Sequence, residues 1–383
     1  MISIDLDSDD EPAFDISNLP VDIVPVPSSK PPNVGVFDAA IRKLQAKNKI
    51  TCSLAMTETK IRQPEGRHSM DLASTATIFS VVSLKENWSL PVGLYFFDNP
   101  TLKDYADGVA ECLAALRDAD VAIVSLNTSG DAPFAGLSLA QQLGAPVAVT
   151  DGDIIILSPT FPNPRDASPV FIVCDLERSA AALERHWETS TTFLDRAGNQ
   201  IDYSFILKVW ELNESNLLDN FEWTVIKKRL CYEDENISKT MYAALTYLKE
   251  LPHPDFRGCD ATLTFIKTLD RIRDIARFET GRVDVNEWGP VVSDLVGYLA
   301  GLKSADGAPR FRALAFNLIA SLTSLREIYR EREDLRAATP RRFCLNRPRE
   351  TLKKLRAMEE NGRGLPTGFE VYAEVTKFID AFE

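Results

Sequence analysis

The chain has 383 residues, of which 45% are hydrophobic and 26% charged, and this composition excludes wholesale disorder and predicts two structured regions. No run of about 20 apolar residues is present, so we expect no membrane insertion. The segment after Met1 is acidic and lacks the basic and apolar parts of a secretion signal. We therefore expect an intracellular protein, cytoplasmic or nuclear, and not a secreted one.

Six cysteines and three histidines are scattered along the chain without a CxxC pair. A disulfide scaffold needs denser cysteines in a shorter chain, so the cysteines indicate a reducing compartment. The spacing also predicts neither a structural metal site nor a bound cofactor.

Residues 1–33 form a predicted acidic, proline-rich arm with too little apolar surface to fold alone. Its first stretch, Ile2–Glu11, places Ile2, Ile4 and Leu6 beside a run of acids and resembles a SUMO-interacting motif. The resemblance implies an arm that adds a strand to the sheet edge of a SUMO-like or other protein partner. A solvated acidic tail, or an arm that docks on a neighbouring subunit, are the alternatives.

An α/β domain, with a parallel or mixed sheet and flanking helices, is predicted over residues 34–230. Short apolar runs alternate with helical patterns there, which favours parallel strands joined by right-handed crossovers. Irregular structure and strands, including Thr77–Leu84, are expected over 50–91. Further strands are predicted at Val92–Phe97, Val121–Leu126, Pro146–Val149, Ile154–Leu157 and Val170–Cys174, and helices after Thr101, after Asp131 and at 177–188.

A mainly helical domain is predicted over residues 231–383. Apolar residues recur there at spacings of three and four, which is the stripe of a helix packed on partners. The predicted helices are 238–251, 260–278, 286–302, 309–336, 348–360 and 368–382.

One candidate ligand site lies where predicted strands end. Asp98, Asn127 and Asp175 each follow a strand, and ligands of open parallel sheets bind beyond the carboxyl ends of strands. Paired carboxylates there could bind a metal or exchange protons. The same residue types also favour such positions simply as turn formers. No glycine-rich phosphate loop or recognised catalytic motif accompanies them, so no catalytic residue is assigned.

A basic segment spans residues 310–356, with thirteen Lys or Arg against five Asp or Glu. Arginine suits bidentate phosphate contacts, so the segment is a candidate nucleic-acid surface. A solvated, self-paired helix face is the alternative. The candidate contacts are Arg310, Arg312, Arg341, Arg342, Arg347, Arg349, Lys353 and Lys354.

These features together favour a non-enzymatic, self-associating protein, such as an RNA-coating nucleoprotein or capsid-like subunit. The net charge of −13 argues against it, because phosphate contacts normally dominate nucleic-acid affinity. The first alternative is an α/β enzyme or small-ligand binder that uses the carboxylates at strand ends. The second is an adaptor recruited through its amino-terminal arm.

Overall fold

The computed structural model describes residues 35–382, except 48, 62–73, 130–134, 151–152, 157–158, 191, 215–220, 231–238, 252, 279–281, 305–308 and 345–365. The predicted arm with Ile2, Ile4 and Leu6 lies outside the described residues. So do the predicted helix 348–360 and the basic residues Arg347, Arg349, Lys353 and Lys354. The described residues form one compact unit.

Twelve strands lie in three sheets within the described residues, and the main sheet has seven strands in the order β1-β4-β3-β2-β5-β9-β8. A three-stranded sheet contains β11, β10 and β12, and β6 pairs with β7 alone. The strands are β1 (Gly35–Val36), β2 (Thr51–Lys60), β3 (Thr75–Ser83), β4 (Ser89–Phe97), β5 (Ala122–Thr128), β6 (Val147–Thr150), β7 (Asp153–Ile156), β8 (Thr160–Pro162), β9 (Pro169–Cys174), β10 (Thr192–Leu194), β11 (Gln200–Asp202) and β12 (Lys303–Ser304).

Twelve α-helices are described, together with two short 3-10 helices at Pro254–Phe256 and Glu333–Leu335. The α-helices are α1 (Asp38–Gln45), α2 (Leu102–Asp118), α3 (Ala135–Gln142), α4 (Leu176–Ser190), α5 (Ser204–Glu214), α6 (Phe221–Leu230), α7 (Lys239–Glu250), α8 (Asp260–Ala276), α9 (Val285–Ala300), α10 (Pro309–Glu331), α11 (Pro340–Cys344) and α12 (Gly368–Asp380). No helix in this described set is both long and apolar enough to cross a membrane.

The main sheet is mixed. β2 pairs antiparallel with β3, and β3 pairs antiparallel with β4, whereas β5 lies parallel to both β2 and β9. Helix α2 therefore connects β4 to β5 across two intervening strands. It begins at Thr101, whose side chain accepts from Asp104 N in a capping box.

The two faces of the sheet are covered by different helices. On one face, Tyr95 of β4 donates a hydrogen bond to Glu111 of α2 at 2.8 Å, and a Cβ at Gly108 of α2 would lie 3.1 Å from Phe79 of β3. On the other face, Phe96 lies beside Gly368, where α12 begins. Both faces are buried, so the strands contain nearly continuous apolar runs.

Residues between α4 and α10 form a largely helical insertion built around an aromatic core. The ring of Trp187 packs against that of Phe265 with centroids 4.9 Å apart, and Phe193 of β10 contacts Phe311 of α10 at 4.7 Å. The Arg273 guanidinium of α8 pairs with Glu184 of α4, and both side chains are about 90% buried. Aromatic packing and this ion pair join the insertion to α4 and α10.

After the insertion, α10 returns to the main sheet. Ser324 Oγ donates to the carbonyl of Ile172 at 2.6 Å, and Ser321 Oγ accepts from the Cys174 amide at 2.7 Å. The helical half therefore shares its core with the sheet. These contacts require α10 to run antiparallel to β9, with its first turns beyond the strand's carboxyl end.

The predicted architecture of an α/β first half and a mainly helical second half is confirmed. The predicted helix 309–336 ends as an α-helix at Glu331 and continues as a 3-10 turn. Strands β6 and β7 pair antiparallel, with Thr150 opposite Asp153; residues 151–152 between them lie outside the described residues. The 50–91 region is more regular than expected, since it contains the two long strands β2 and β3 and the start of β4.

Candidate site at the carboxyl edge of the sheet

The carboxyl ends of β2, β5 and β9 lie at one edge of the sheet, because these three strands are parallel. Met56 of β2 lies opposite Phe79 of β3, so both side chains are on the face of the sheet that α2 covers. Side chains alternate along a strand, so Ser53 and Thr57 occupy the other face. Ser125 is opposite Ser53 and shares that face.

A chain of three buried side chains crosses from β2 to β5 on this face. Ser125 Oγ donates to Asn127 Oδ1 at 2.9 Å, and Ser53 Oγ lies 2.8 Å from Ser125 Oγ. Ser125 has a single hydroxyl proton, so Ser53 is the donor of the second bond. All three residues have no exposed surface. Asn127 Nδ2 has no hydrogen-bond acceptor in the described part of the chain.

Two further side chains complete this edge. Thr57 lies two residues beyond Ala55, the partner of Asn127, so the Cα atoms of Thr57 and Asn127 are roughly 8 Å apart from strand geometry. Asn317 lies one turn before Ser321 on α10, which places it beyond the carboxyl end of β9, and it has no exposed surface. We call Ser53, Thr57, Ser125, Asn127 and Asn317 the carboxyl-edge site.

Of the three strand-end residues predicted from sequence, only Asn127 belongs to this site. Asp175 follows β9, but its Oδ1 accepts from Arg178 N at 3.1 Å and caps α4. Asp98 is exposed. Two strands, β3 and β2, lie between Asp98 and β5. Phe97, next to Asp98, pairs with Thr75 of β3, and Thr75 pairs with Lys60 of β2. Lys60 is five residues along β2 from Ala55, the partner of Asn127. These offsets place Asp98 more than about 20 Å from Asn127.

Acidic groups near this edge are directed elsewhere. Glu58 follows Thr57 but occupies the α2 face, where burial and a hydrogen bond to Glu58 together raise the pKa of the Tyr105 phenol. Burial raises the pKa of the Cys174 thiol to about 11, so it remains protonated at neutral pH. No cluster of three metal-ligating side chains occurs among the residues that the structure describes. The carboxyl-edge site is therefore electrically neutral.

In the described part of the predicted basic segment, most arginines are engaged in ion pairs or backbone contacts. Arg330 pairs with Glu327, and Arg332 donates to Asp334 at 3.0 Å. Arg342 donates instead to the carbonyls of Leu84 and Glu86. Of the proposed phosphate contacts, Arg312 and Arg341 are partly buried at the starts of α10 and α11, whereas Arg310 is exposed.

A polar groove of 520 Å³ lies between α7 and α8 of the insertion. Lys267 and Arg271 are exposed on its wall and have no ion pair with any described residue. Lys249 on the opposite wall pairs with Asp260. Tyr242 adds an aromatic ring. Cationic and hydroxyl groups of this kind suit a phosphate, and the ring suits a nucleobase.

Comparison with known proteins gives two family matches in chain order. Residues 62–144 match the model of the TNP-like RNase H N-terminal domain, and residues 183–280 match that of the TNP-like GTP-binding insertion domain. The first match covers β3 to α3, and the second falls within the helical insertion and the helix before it.

A relative and a solved structure agree with these matches. The DNA transposase THAP9 of Homo sapiens is 25% identical over 214 residues, which are 53% of this chain and 23% of that protein. The chain thus spans about a quarter of the relative's length. The structure titled Drosophila P element transposase strand transfer complex superposes with a TM-score of 0.66 at 17% identity, over 90% of this chain and 81% of that one. The chain shares the fold of that structure.

These similarities correct the functional prediction. The RNA-coating nucleoprotein or capsid-like subunit is wrong, and so is its description as a structural protein, because both sequence and fold resemble DNA transposases. Several arginines in the described part of the segment that motivated it pair with nearby acids, and its candidate nucleic-acid contacts stay a prediction. The alternative of an α/β enzyme or small-ligand binder that uses Asp98, Asn127 and Asp175 stays a prediction, although Asp98 lies far from Asn127 and Asp175 caps α4. No similarity supports an RNA or a SUMO-like partner.

The RNase H domain model that matches residues 62–144 raises the question of divalent metal ions, and the carboxyl-edge site does not fit them. Two-metal nucleases and polymerases use the ions to stabilise both the attacking and the leaving oxygen. Mg²⁺ is usually held through one or two carboxylates. The site offers hydroxyls and amides, and its one carboxamide oxygen on β5 already accepts a hydrogen bond from Ser125. These side chains therefore support no reaction step through a metal ion.

Proposed function

We propose that this chain acts on DNA as a transposase-derived protein and self-associates to do so. The observation that supports this most strongly is the fold likeness, which extends over 90% of the chain and includes the helical insertion between α4 and α10. A chance likeness between α/β sheets would not extend to that insertion. The intracellular location expected from the sequence suits a protein that meets DNA.

Three exposed cations near β10 are our candidates for contact with the DNA backbone. Lys303 lies opposite Leu194, Arg196 packs beside Gly301, and Arg310 begins α10 next to Phe311, which contacts Phe193. None of the three has an ion pair within the described ranges. Asp195, the nearest acid in sequence, accepts hydrogen bonds from the amides of its own turn. Unpaired surface cations of this kind bind phosphates.

The test compares duplex DNA with RNA of the same sequence, using fluorescence anisotropy and the full chain in EDTA. We expect tighter binding to DNA, and light scattering should show a mass above that of one chain. The variant Arg196→Ala/Lys303→Ala/Arg310→Ala should weaken DNA binding at least tenfold. Equal affinity for RNA, or an unchanged triple variant, would contradict the proposal.

A charge-matched control separates specific contacts from net charge. Lys103→Ala/Lys239→Ala/Lys377→Ala removes the same three charges, but each of these lysines is exposed and already paired with an acid. We expect this control to bind DNA within about twofold of the natural chain, because a neighbouring carboxylate already balances the charge of each lysine.

The α7–α8 groove supports a second proposal, that the insertion binds a guanine nucleotide. The groove lies inside the segment matched to the GTP-binding insertion domain. Calorimetry should detect GTP binding, and Lys267→Ala/Arg271→Ala should abolish it. Arg277→Ala is the control, because it removes an exposed arginine that pairs with Glu177 outside the groove, and it should leave binding unchanged. Absence of binding to the natural chain would reject this role.

A further inference from the structure

We infer that the carboxyl-edge site is a neutral hydrogen-bonded joint that binds no divalent cation, so the chain binds DNA without cutting its strands. The inference rests on the proposed function for its reference to DNA. Its statement about cations stands on the described side chains alone.

The donor groups of the site have the wrong chemistry for a hard divalent cation. Such an ion requires oxygen ligands, and carboxylates supply both the oxygens and the compensating charge. Thr57 and Asn127 occupy neighbouring strands at a separation from which two carboxylates would reach a common ion. They carry a hydroxyl and a carboxamide instead, so the compensating charge is missing.

Burial of the site also opposes a cation. Ser53, Ser125, Asn127 and Asn317 have no exposed surface, and Thr57 has 9%. A cation that entered this space would lose its hydration shell and meet no opposite charge, which is strongly unfavourable. The nearby carboxylates do not compensate, because Asp175 caps α4 and Glu58 lies on the other face of the sheet.

The polar groups of this edge already hold the fold together. The Ser53–Ser125 bond joins β2 to β5 and a second bond fixes Asn127 within β5, and Ser321 and Ser324 near this edge bond α10 to β9. Buried hydrogen-bond networks of this kind fix the relative position of the elements that they connect. The edge thus holds α10 and, through it, the insertion against the sheet.

Calorimetric titration of Mn²⁺ into the full natural chain tests the inference directly. We expect no binding up to 1 mM free Mn²⁺. Any affinity would then be weaker than a Kd of 1 mM, which corresponds to a standard binding free energy of about −4 kcal/mol. A variant with carboxylates at the same edge, Thr57→Asp/Asn127→Asp, should gain Mn²⁺ binding, and its melting temperature should rise on adding Mn²⁺. Mn²⁺ binding by the natural chain that disappears in Asn127→Ala would overturn the inference.

A second readout does not depend on whether the acidic variant folds. An end-labelled DNA duplex incubated with excess natural chain and Mn²⁺ should stay intact, whereas nicked or joined strands would overturn the inference. Asp131 lies outside the described residues, so Asp131→Asn is included, and we expect it to behave as the natural chain does. Failure to bind DNA in EDTA would reject the proposed function instead, and the cation titration would still decide this inference.

Discussion

Ser125 Oγ donates to Asn127 Oδ1 within one strand, and this bond directs the Asn127 carboxamide oxygen back along β5. An aspartate at this position would accept the same bond, so the serine does not by itself exclude a carboxylate. Neutrality comes from the amide, and from the engagement of the nearby Asp175 carboxylate as the cap of α4. This edge of the sheet therefore contributes buried hydrogen bonds to the packing of the fold.

Removing the Ser125 hydroxyl should destabilise the fold. Ser125→Ala leaves Asn127 Oδ1 and the Ser53 hydroxyl without their partner, at a cost of about 1–3 kcal/mol. Ser80→Ala is the matched control, because Ser80 is equally buried on β3 but its hydroxyl has no partner in the described chain. Urea unfolding should show a lower midpoint for the first variant and an equal or higher one for the second. The reverse order would refute the hydrogen-bond chain.

The buried pair Glu184–Arg273 should be sensitive to loss of either member. Arg273→Met leaves the Glu184 carboxylate buried without its partner, so we expect a loss of about 3–5 kcal/mol. Arg277→Met breaks the exposed pair with Glu177 and should cost at most about 1 kcal/mol. Thermal unfolding of both variants measures the difference. Equal losses would mean that Arg273 contributes through packing rather than charge.

Stability should fall in acid partly through Asp334. Hydrogen bonds from Arg332 and Lys85 lower its pKa to about 2. The folded-state pKa is below the unfolded value of about 3.9, so this contribution is present above about pH 4 and disappears as the pH falls to 2. The carboxylate is partly exposed, which keeps the effect under about 1 kcal/mol. Asp334→Asn should flatten the stability curve between pH 4 and 2, and an unchanged curve would contradict this assignment.

DNA affinity should depend on salt through Arg310. Replacing a phosphate-contacting cation reduces the slope of log affinity against log salt by about 1. Arg310→Ala should therefore lower the slope, whereas Arg330→Ala should not, because Arg330 pairs with Glu327 and Glu331. Anisotropy at several salt concentrations gives both slopes, and equal slopes would exclude Arg310 from the interface.

Much of the secondary structure follows from sequence because it is encoded locally. The apolar run Val170–Cys174 and the stripe of α10 mark a buried strand and a packed helix wherever they occur. The order of the strands does not follow, because it depends on contacts between distant segments. Helix α10 contacts β9 after an insertion of more than 100 residues, and no local pattern signals this contact. The domain boundary near residue 230, drawn from the helical pattern, stays a prediction.

Apart from Asn127, the residues of the carboxyl-edge site could not be predicted from the sequence, because their burial depends on helices from distant parts of the chain. Ser53, Thr57 and Ser125 look like ordinary residues of half-exposed strands, where hydroxyls would face water. They become unusual only once both faces of the sheet are known to be covered. One signal is present in the sequence: Ser53 and Thr57 flank Ala55 in β2, and Ser125 and Asn127 are two residues apart in β5, so the polar side chains of each strand share one face.

One gel that reports binding and strand integrity together is the most direct test of a DNA-binding chain with a neutral carboxyl edge. A labelled duplex is mixed with the full chain in EDTA, Mg²⁺ or Mn²⁺, and each sample is run under native and denaturing conditions. We predict the same retarded fraction in all three buffers, with full-length strands throughout. Two results would contradict the claim that the chain binds DNA and has a neutral carboxyl-edge site: retardation that requires a divalent cation, or strands shortened in Mn²⁺.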